Sequence, residues 1–204
     1  MDALLEDVPE RINTERLILR CLRGGDAAAL NEAVRESMDQ LRVHMPWAQT
    51  EPSLLQSEAE CRRMQAKFLL REDLAMAMFE RAADGSEGAF VGGSGLHRID
   101  WAVRRFEIGY WCRTGKQGRG FVTEAVRALT QFAFAHLRAR RVEVRMDDTN
   151  PRSWRVAERA GFALEGVLRS DSLTPQGEPR DTRVYARLAG VDAPDASTDR
   201  CGAG

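Results

Sequence analysis

The chain has 204 residues, 43% of them apolar and 30% charged, and a formal net charge of -1. That length suits one domain with a sizeable core, and the balanced charge gives no chain-wide basic field, so no nucleic-acid partner is expected. No stretch approaches the roughly 18 consecutive apolar residues of a membrane helix, and the acidic start MDALLEDVPE lacks a secretory pattern, so no membrane association and a cytoplasmic location are expected.

Residues 14–22 (TERLILRCL) alternate Leu17, Leu19 and Cys21 with other neighbours, the pattern of a first strand ended by Gly24 and Gly25. Asp26 is placed to cap a helix whose apolar face is Leu30, Val34, Met38 and Leu41, stopping before Pro46. A second helix is expected after Pro52 to about Arg71, with Leu54, Leu55, Cys61, Met64, Phe68 and Leu69 inward. Three strand-like runs follow, 74–81, 88–99 and 104–113, as an antiparallel meander. The period then changes: 120–137 carries Val122, Ala125, Val126, Leu129, Phe132, Ala133 and His136 or Leu137 at helical spacing. A strand at 142–148, a short helix opened by Asn150 and Pro151 and ended by Gly161, and strands near 162–172 and 182–188 complete the order. Residues 1–188 read as one domain, and 189–204, rich in Ala, Asp, Gly and Ser, as a disordered tail.

Four cysteines (Cys21, Cys61, Cys112, Cys201) lie too far apart for a Cys-x-x-Cys site and fit reduced thiols. His44, His97 and His136 have no second ligand at i+3 or i+4, so no metal is expected. The informative segment is Gln117-Gly118-Arg119-Gly120-Phe121-Val122, between a strand and a long helix. Glycines there let a backbone approach a ligand, and free N–H groups at a helix start favour a pyrophosphate. An ordinary glycine-containing connection has the same composition. A P-loop is excluded because five residues separate Gly109 from Gly115 and Gln117 replaces the Ser or Thr. A dinucleotide fingerprint fails because Thr123 stands for its third glycine and a meander precedes it.

Gln117-Gly118-Arg119-Gly120, followed by Thr123-Glu124-Ala125, resembles the acetyl-CoA signature of the GNAT acetyltransferases, in the version of their ribosomal-protein (Rim-type) branch. Phe106 to Trp111 resembles that family's fourth strand, and Asn150-x-x-Ser153 with Ala160-Gly161-Phe162 its second cofactor motif. Arg16 to Arg20 resembles its opening strand, and Met45-Pro46-Trp47 a segment after its first helix. Val122 departs from the small residue often found at its position. The resemblance implies an α/β (α+β) fold with a mixed, mostly antiparallel sheet of about seven strands and about four helices.

It also implies acetyl-CoA as donor and direct transfer to a primary amine, either a protein N-terminus or a small molecule. Backbone amides from Gly118 to Thr123 would meet the pyrophosphate, with Arg119 adding charge. The pantetheine arm would run beside Tyr110, Trp111, Cys112 and Arg113. Glu107 is the leading base and His97 the second, because a protonated amine cannot attack. Ser153 would serve the leaving thiolate and Asn150 the pantetheine or the helix start. Cys112 has no adjacent histidine and reads as wall, not nucleophile. Trp47 and Trp111 would line the acceptor pocket, and C-terminal edge strands would support a homodimer. A catalytically silent acyl-CoA-binding module is the alternative.

Overall fold

A computed structural model describes residues 2–191. Eight strands form one sheet in the order β1-β2-β3-β4-β5-β6-β8-β7. The strands are β1 (Arg11–Asn13), β2 (Leu17–Cys21), β3 (Leu74–Arg81), β4 (Glu87–Asp100), β5 (Arg105–Cys112), β6 (Arg141–Asp147), β7 (Ala163–Leu173) and β8 (Pro179–Leu188). The helices are α1 (Ala27–His44), α2 (Leu54–Leu69), α3 (Phe121–Ala135) and α4 (Pro151–Arg159). The additional strand is β1, whose three residues are too short to show a period and are ordered by pairing with β2 and by Ile12 packing against the core. The expected tail lies almost wholly outside the described residues.

Strands β1 to β5 are an antiparallel meander, and the connection through α3 makes β6 parallel to β5. That parallel pairing is only three rungs long: Arg105 with Arg141, Phe106 with Val142, and Glu107 with Glu143. Beyond Glu107, β6 continues against β8 while β5 continues against β4. The sheet therefore opens between Ile108–Cys112 and the later half of β6.

Two layers cover the sheet. On one face α3 and α4 bury Phe121, Val126, Leu129, Phe106, Ile108, Val144 and Tyr185 in a common core. On the other, α1 and α2 cover Ile18, Phe79 and Phe90. All five residues of β2 are buried, because both of its faces are covered. In α2 the expected inner face is corrected: Cys61 and Phe68 are buried, but Leu54, Leu55 and Leu69 are exposed, since only one narrow stripe reaches the sheet. Ser53 and Gln56 form a reciprocal capping box that starts this helix. Asp26 also departs from expectation. Its carboxylate takes both terminal nitrogens of buried Arg20, each at 2.7 Å, instead of capping α1.

Candidate active site

Gly118 and Gly120 have φ of 74° and 81°, in the left-handed region. A Cβ at Gly118 would meet nothing within 4 Å, and at Gly120 only Arg16 at 3.5 Å. Glycine is needed there for backbone conformation, because an L-residue pays about 1–2 kcal/mol for that region. The consequence is a helix start without a side-chain cap. The first intrahelical bond at this end runs from Glu124 N to Gly120 O, and the amides of residues 118–123 have no hydrogen-bond partner among the described residues. Six consecutive donors at the positive end of a 15-residue helix form an anion cradle.

Cations surround it. Arg16 donates to the Arg119 carbonyl at 3.0 Å and pairs with Glu124 at 2.6 Å, while Lys116 pairs with Glu80 at 2.8 Å. Arg119 itself is exposed, 3.9 Å from Glu80. The sequence reading named Arg119 alone; Arg16 and Lys116 join the cradle through contacts that span distant parts of the chain. Glu124 also accepts from the Thr14 hydroxyl and the Arg16 amide, so it locks β2 to the first turn of α3. Val122 packs partly against the core on α3, and Thr123 is buried.

The next feature is a free strand edge. The Arg104 carbonyl accepts from Arg140 on the β6 side, whereas the Arg113 amide donates to Val91 on the β4 side. Since main-chain groups alternate sides along a strand, Tyr110 and Cys112, beyond the last parallel rung at Glu107, turn theirs toward the opening. The side chain of Gln117 caps this edge, donating to the Cys112 carbonyl at 3.2 Å and to Gln40 of α1 at 2.6 Å. Arg152 of α4 reaches Gln117 from across the opening at 3.4 Å. The side chain of Arg113 is committed elsewhere, to Glu32 and Glu36 of α1.

On the α4 side of the opening, Asn150 caps the helix by accepting from the Ser153 amide at 3.1 Å. The Ser153 hydroxyl is not a cap; it lies 2.9 Å from the Tyr110 hydroxyl, which also donates to the Ser153 carbonyl at 2.9 Å. Burial pushes the Tyr110 phenol up to about 12, so it stays protonated. Tyr110 was not singled out from the sequence, where its strand position alone marked it. Burial also pushes the Cys112 thiol up to about 11, which removes thiolate character and keeps it a wall.

The opposite face carries the side chains of Glu107 and His97. Glu107 is largely buried, its Oε2 without a hydrogen bond, and Arg98 stands 3.6 Å away. Burial, only partly offset by Arg98 and Arg145, raises its pKa above the ordinary carboxylate value. His97 is opposite Glu107 in the β4–β5 register. Trp111, four rungs further, packs over Gly93, against Phe90 at 5.9 Å and edge-on to the half-exposed Trp47 at 6.0 Å. Trp47 sits in the short turn Pro46–Ala48 after α1, so these two expected pocket residues do meet. Trp101 and Trp154 do not join them; the first bonds to the Arg71 carbonyl and the second lies beneath Arg155 and Arg183. Among the described residues, no group of three or more His, Cys, Asp or Glu is placed to hold a metal, and no helix is long and apolar enough to cross a membrane.

Residues 16–163 match the family described as the Acetyltransferase (GNAT) domain. YdaF of Bacillus subtilis (strain 168), named as a ribosomal N-acetyltransferase, is 37% identical over 102 residues, 50% of this chain and 55% of that protein. This match spans about half the length of each. The ribosomal-protein-serine acetyltransferase of Escherichia coli (strain K12) is 27% identical over 176 residues, 86% of this chain and 94% of that protein. In fold, the chain is similar to the microcin C7 self-immunity acetyltransferase MccE, solved with acetyl-CoA and AMP, with a TM-score of 0.79 and 22% identity over 89% of this chain and 97% of that one. The unpartnered amide cradle, the opened sheet and the family match over most of the chain together identify it as a member of the GNAT acetyltransferase family, an acyltransferase that uses acetyl-CoA.

Proposed function

We propose that this protein moves an acetyl group directly from acetyl-CoA to a primary amine, with the α-amino group of a protein N-terminus as the favoured acceptor and a small-molecule amine as the second. The run of unpartnered amides from 118 to 123, continuous with the free edge of β5, carries this reading. The protein acceptor draws support from relatives named for ribosomal-protein acetylation. Residues 1–188 work as one acetyltransferase unit.

The bound donor supplies an acetyl group activated as a thioester. Gly118, Arg119, Gly120, Phe121, Val122 and Thr123 hold its pyrophosphate through their amides, with Arg16, Lys116 and Arg119 balancing charge. The β5 edge at Tyr110 and Cys112 offers amides to the pantetheine and to the oxygen that gains charge, a contribution worth about 3 kcal/mol in other enzymes. Gln117 yields the Cys112 carbonyl as the arm enters. Glu107 accepts a proton on the acceptor side, because its raised pKa brings a carboxylate nearer the basicity this step needs. Ser153, oriented by Tyr110, supplies a hydrogen bond to the leaving sulfur. Trp47 and Trp111 wall the acceptor entrance.

Incubation with acetyl-CoA and a panel of N-terminal peptides and small amines, read by CoA release and by the mass gain of one acetyl group, tests this. Acetylated peptide N-termini are the expected result. Donor binding without turnover on any amine would reduce the protein to the silent binding module.

We further propose a second copy of this chain as partner along β7. This edge strand is exposed almost throughout and carries Leu164, Val167, Leu168 and Leu173 at the surface. A two-fold pairing of β7 with itself would cover both its open main-chain groups and these side chains. Sedimentation should give a dimer that Leu168→Glu dissociates; a monomer at every concentration would refute it.

A further inference from the structure

The acceptor face holds a second acid–base pair, formed by groups far apart in sequence. His97 Nδ1 lies 2.9 and 3.0 Å from the two oxygens of Asp73, in the turn before β3. The carboxylate fixes which nitrogen carries the proton and how the ring is turned, leaving Nε2 without a partner among the described residues. The floor under the ring is glycine. A Cβ at Gly109 would stand 2.9 Å from His97 Cδ2 and 3.1 Å from Nε2, and one at Gly95 would stand 3.2 Å from Cε1. Gly95 and Gly109 are register partners, so two neighbouring strands both omit a side chain where the imidazole lies.

Position decides between the two bases. Along this face β5 presents Glu107, then Gly109, then Trp111, and the opening toward β6 begins after Glu107. The imidazole leans over Gly109, one same-face position beyond Glu107 and alongside the stretch of β5 that β6 leaves unpaired. Glu107 lies at the last parallel rung, facing Arg98 at 3.6 Å and flanked in the sheet by Glu143.

We infer that His97 takes the proton of the attacking amine, with Asp73 as the residue that positions it and its register neighbour Glu107 as the next proton acceptor. This rests on the acetyl transfer proposed above and refines its first proton step. The amine nitrogen bonds to the acetyl carbon, the carbon–sulfur bond breaks with its electron pair left on sulfur, and the amine proton passes to Nε2. The Nδ1 proton stays on the ring, hydrogen-bonded to Asp73; the proton taken at Nε2 passes to Glu107 and on to solvent, while the sulfur is protonated from the Ser153 side and solvent returns that proton to Ser153.

The test is His97→Ala assayed with and without added imidazole, because the glycine floor leaves the ring's space open. A fall in kcat of about 100-fold is expected, with acetyl-CoA affinity by calorimetry unchanged and at least about tenfold recovery with imidazole. Asp73→Asn should lower kcat about tenfold without changing the KM for acetyl-CoA, and Glu107→Gln should show no imidazole rescue. Gly109→Ala, which crowds the ring without removing it, should also lower kcat. Activity of folded His97→Ala within about twofold of the parent, or a loss that imidazole leaves untouched, would overturn the assignment. If His97→Ala fails to bind acetyl-CoA, Asp73→Asn decides, and unchanged kcat there overturns it. Failure of the parent protein to release CoA with any amine would instead defeat the transferase reading itself.

Discussion

Individual residues in the site carry opposed demands of stability and chemistry. Burial holds the pKa of Glu107 above its ordinary value, so as pH rises the unfolded chain releases this proton before the native state does. Between the two pKa values the native state binds more protons, and stability falls with rising pH. Glu107→Gln removes that titration. The variant should therefore melt higher than the parent at neutral pH, with the gap closing below the ordinary carboxylate range, while its turnover is lower. Thermal denaturation at the two pH values checks the sign. Gly120 shows the converse case: space is available, but the left-handed backbone is not suited to alanine. Gly120→Ala should lose about 1–2 kcal/mol of stability and, because the first amides of α3 turn with it, more than tenfold in acetyl-CoA affinity. Denaturant unfolding and calorimetry separate the two effects.

At the level of elements, the site consists of two helix starts facing one opened strand pair. The glycine loop was legible because left-handed turns admit few residues other than glycine, and Asn150 with Pro151 was legible for a similar local reason. What periodicity could not reveal was the Tyr110–Ser153 contact, which joins β5 to α4 across 43 residues. Asp73 was equally hidden, since a lone carboxylate before a strand has no pattern until β3 and β4 pair. The same limit explains α2, where an apolar stripe wider than its contact with the sheet left Leu54, Leu55 and Leu69 exposed. The start of α4 gives a test at this scale. Asn150→Ala removes the acceptor of the Ser153 amide and should cost about 1 kcal/mol of stability. Because that bond also orients Ser153, kcat should fall while acetyl-CoA affinity changes little, as steady-state kinetics beside calorimetry would reveal.

For the whole molecule, the order of elements was legible almost throughout, because strand and helix periods alternate cleanly and only the three-residue β1 escaped them. The opening of the sheet was not. It arises because β6 leaves β5 after Glu107 to pair with β8, a competition between distant partners that no local window contains. That opening sets unpaired amides of the β5 edge beside those of residues 118–123, so ligand and fold are thermodynamically linked: whatever satisfies both sets of donors binds the native state and not the unfolded chain. At acetyl-CoA concentrations about 100-fold above its dissociation constant, linkage contributes about 2.7 kcal/mol, which for a chain of this size raises Tm by roughly 5–11 °C. Differential scanning calorimetry across a ligand titration measures it directly. Gly120→Ala should lose most of this increment, whereas His97→Ala should keep it in full, since the imidazole faces the acceptor and not the diphosphate. An equal loss in both variants would mean that the acceptor face and the cradle are one cooperative unit, and that the division of the site between α3 and the His97 pair is wrong.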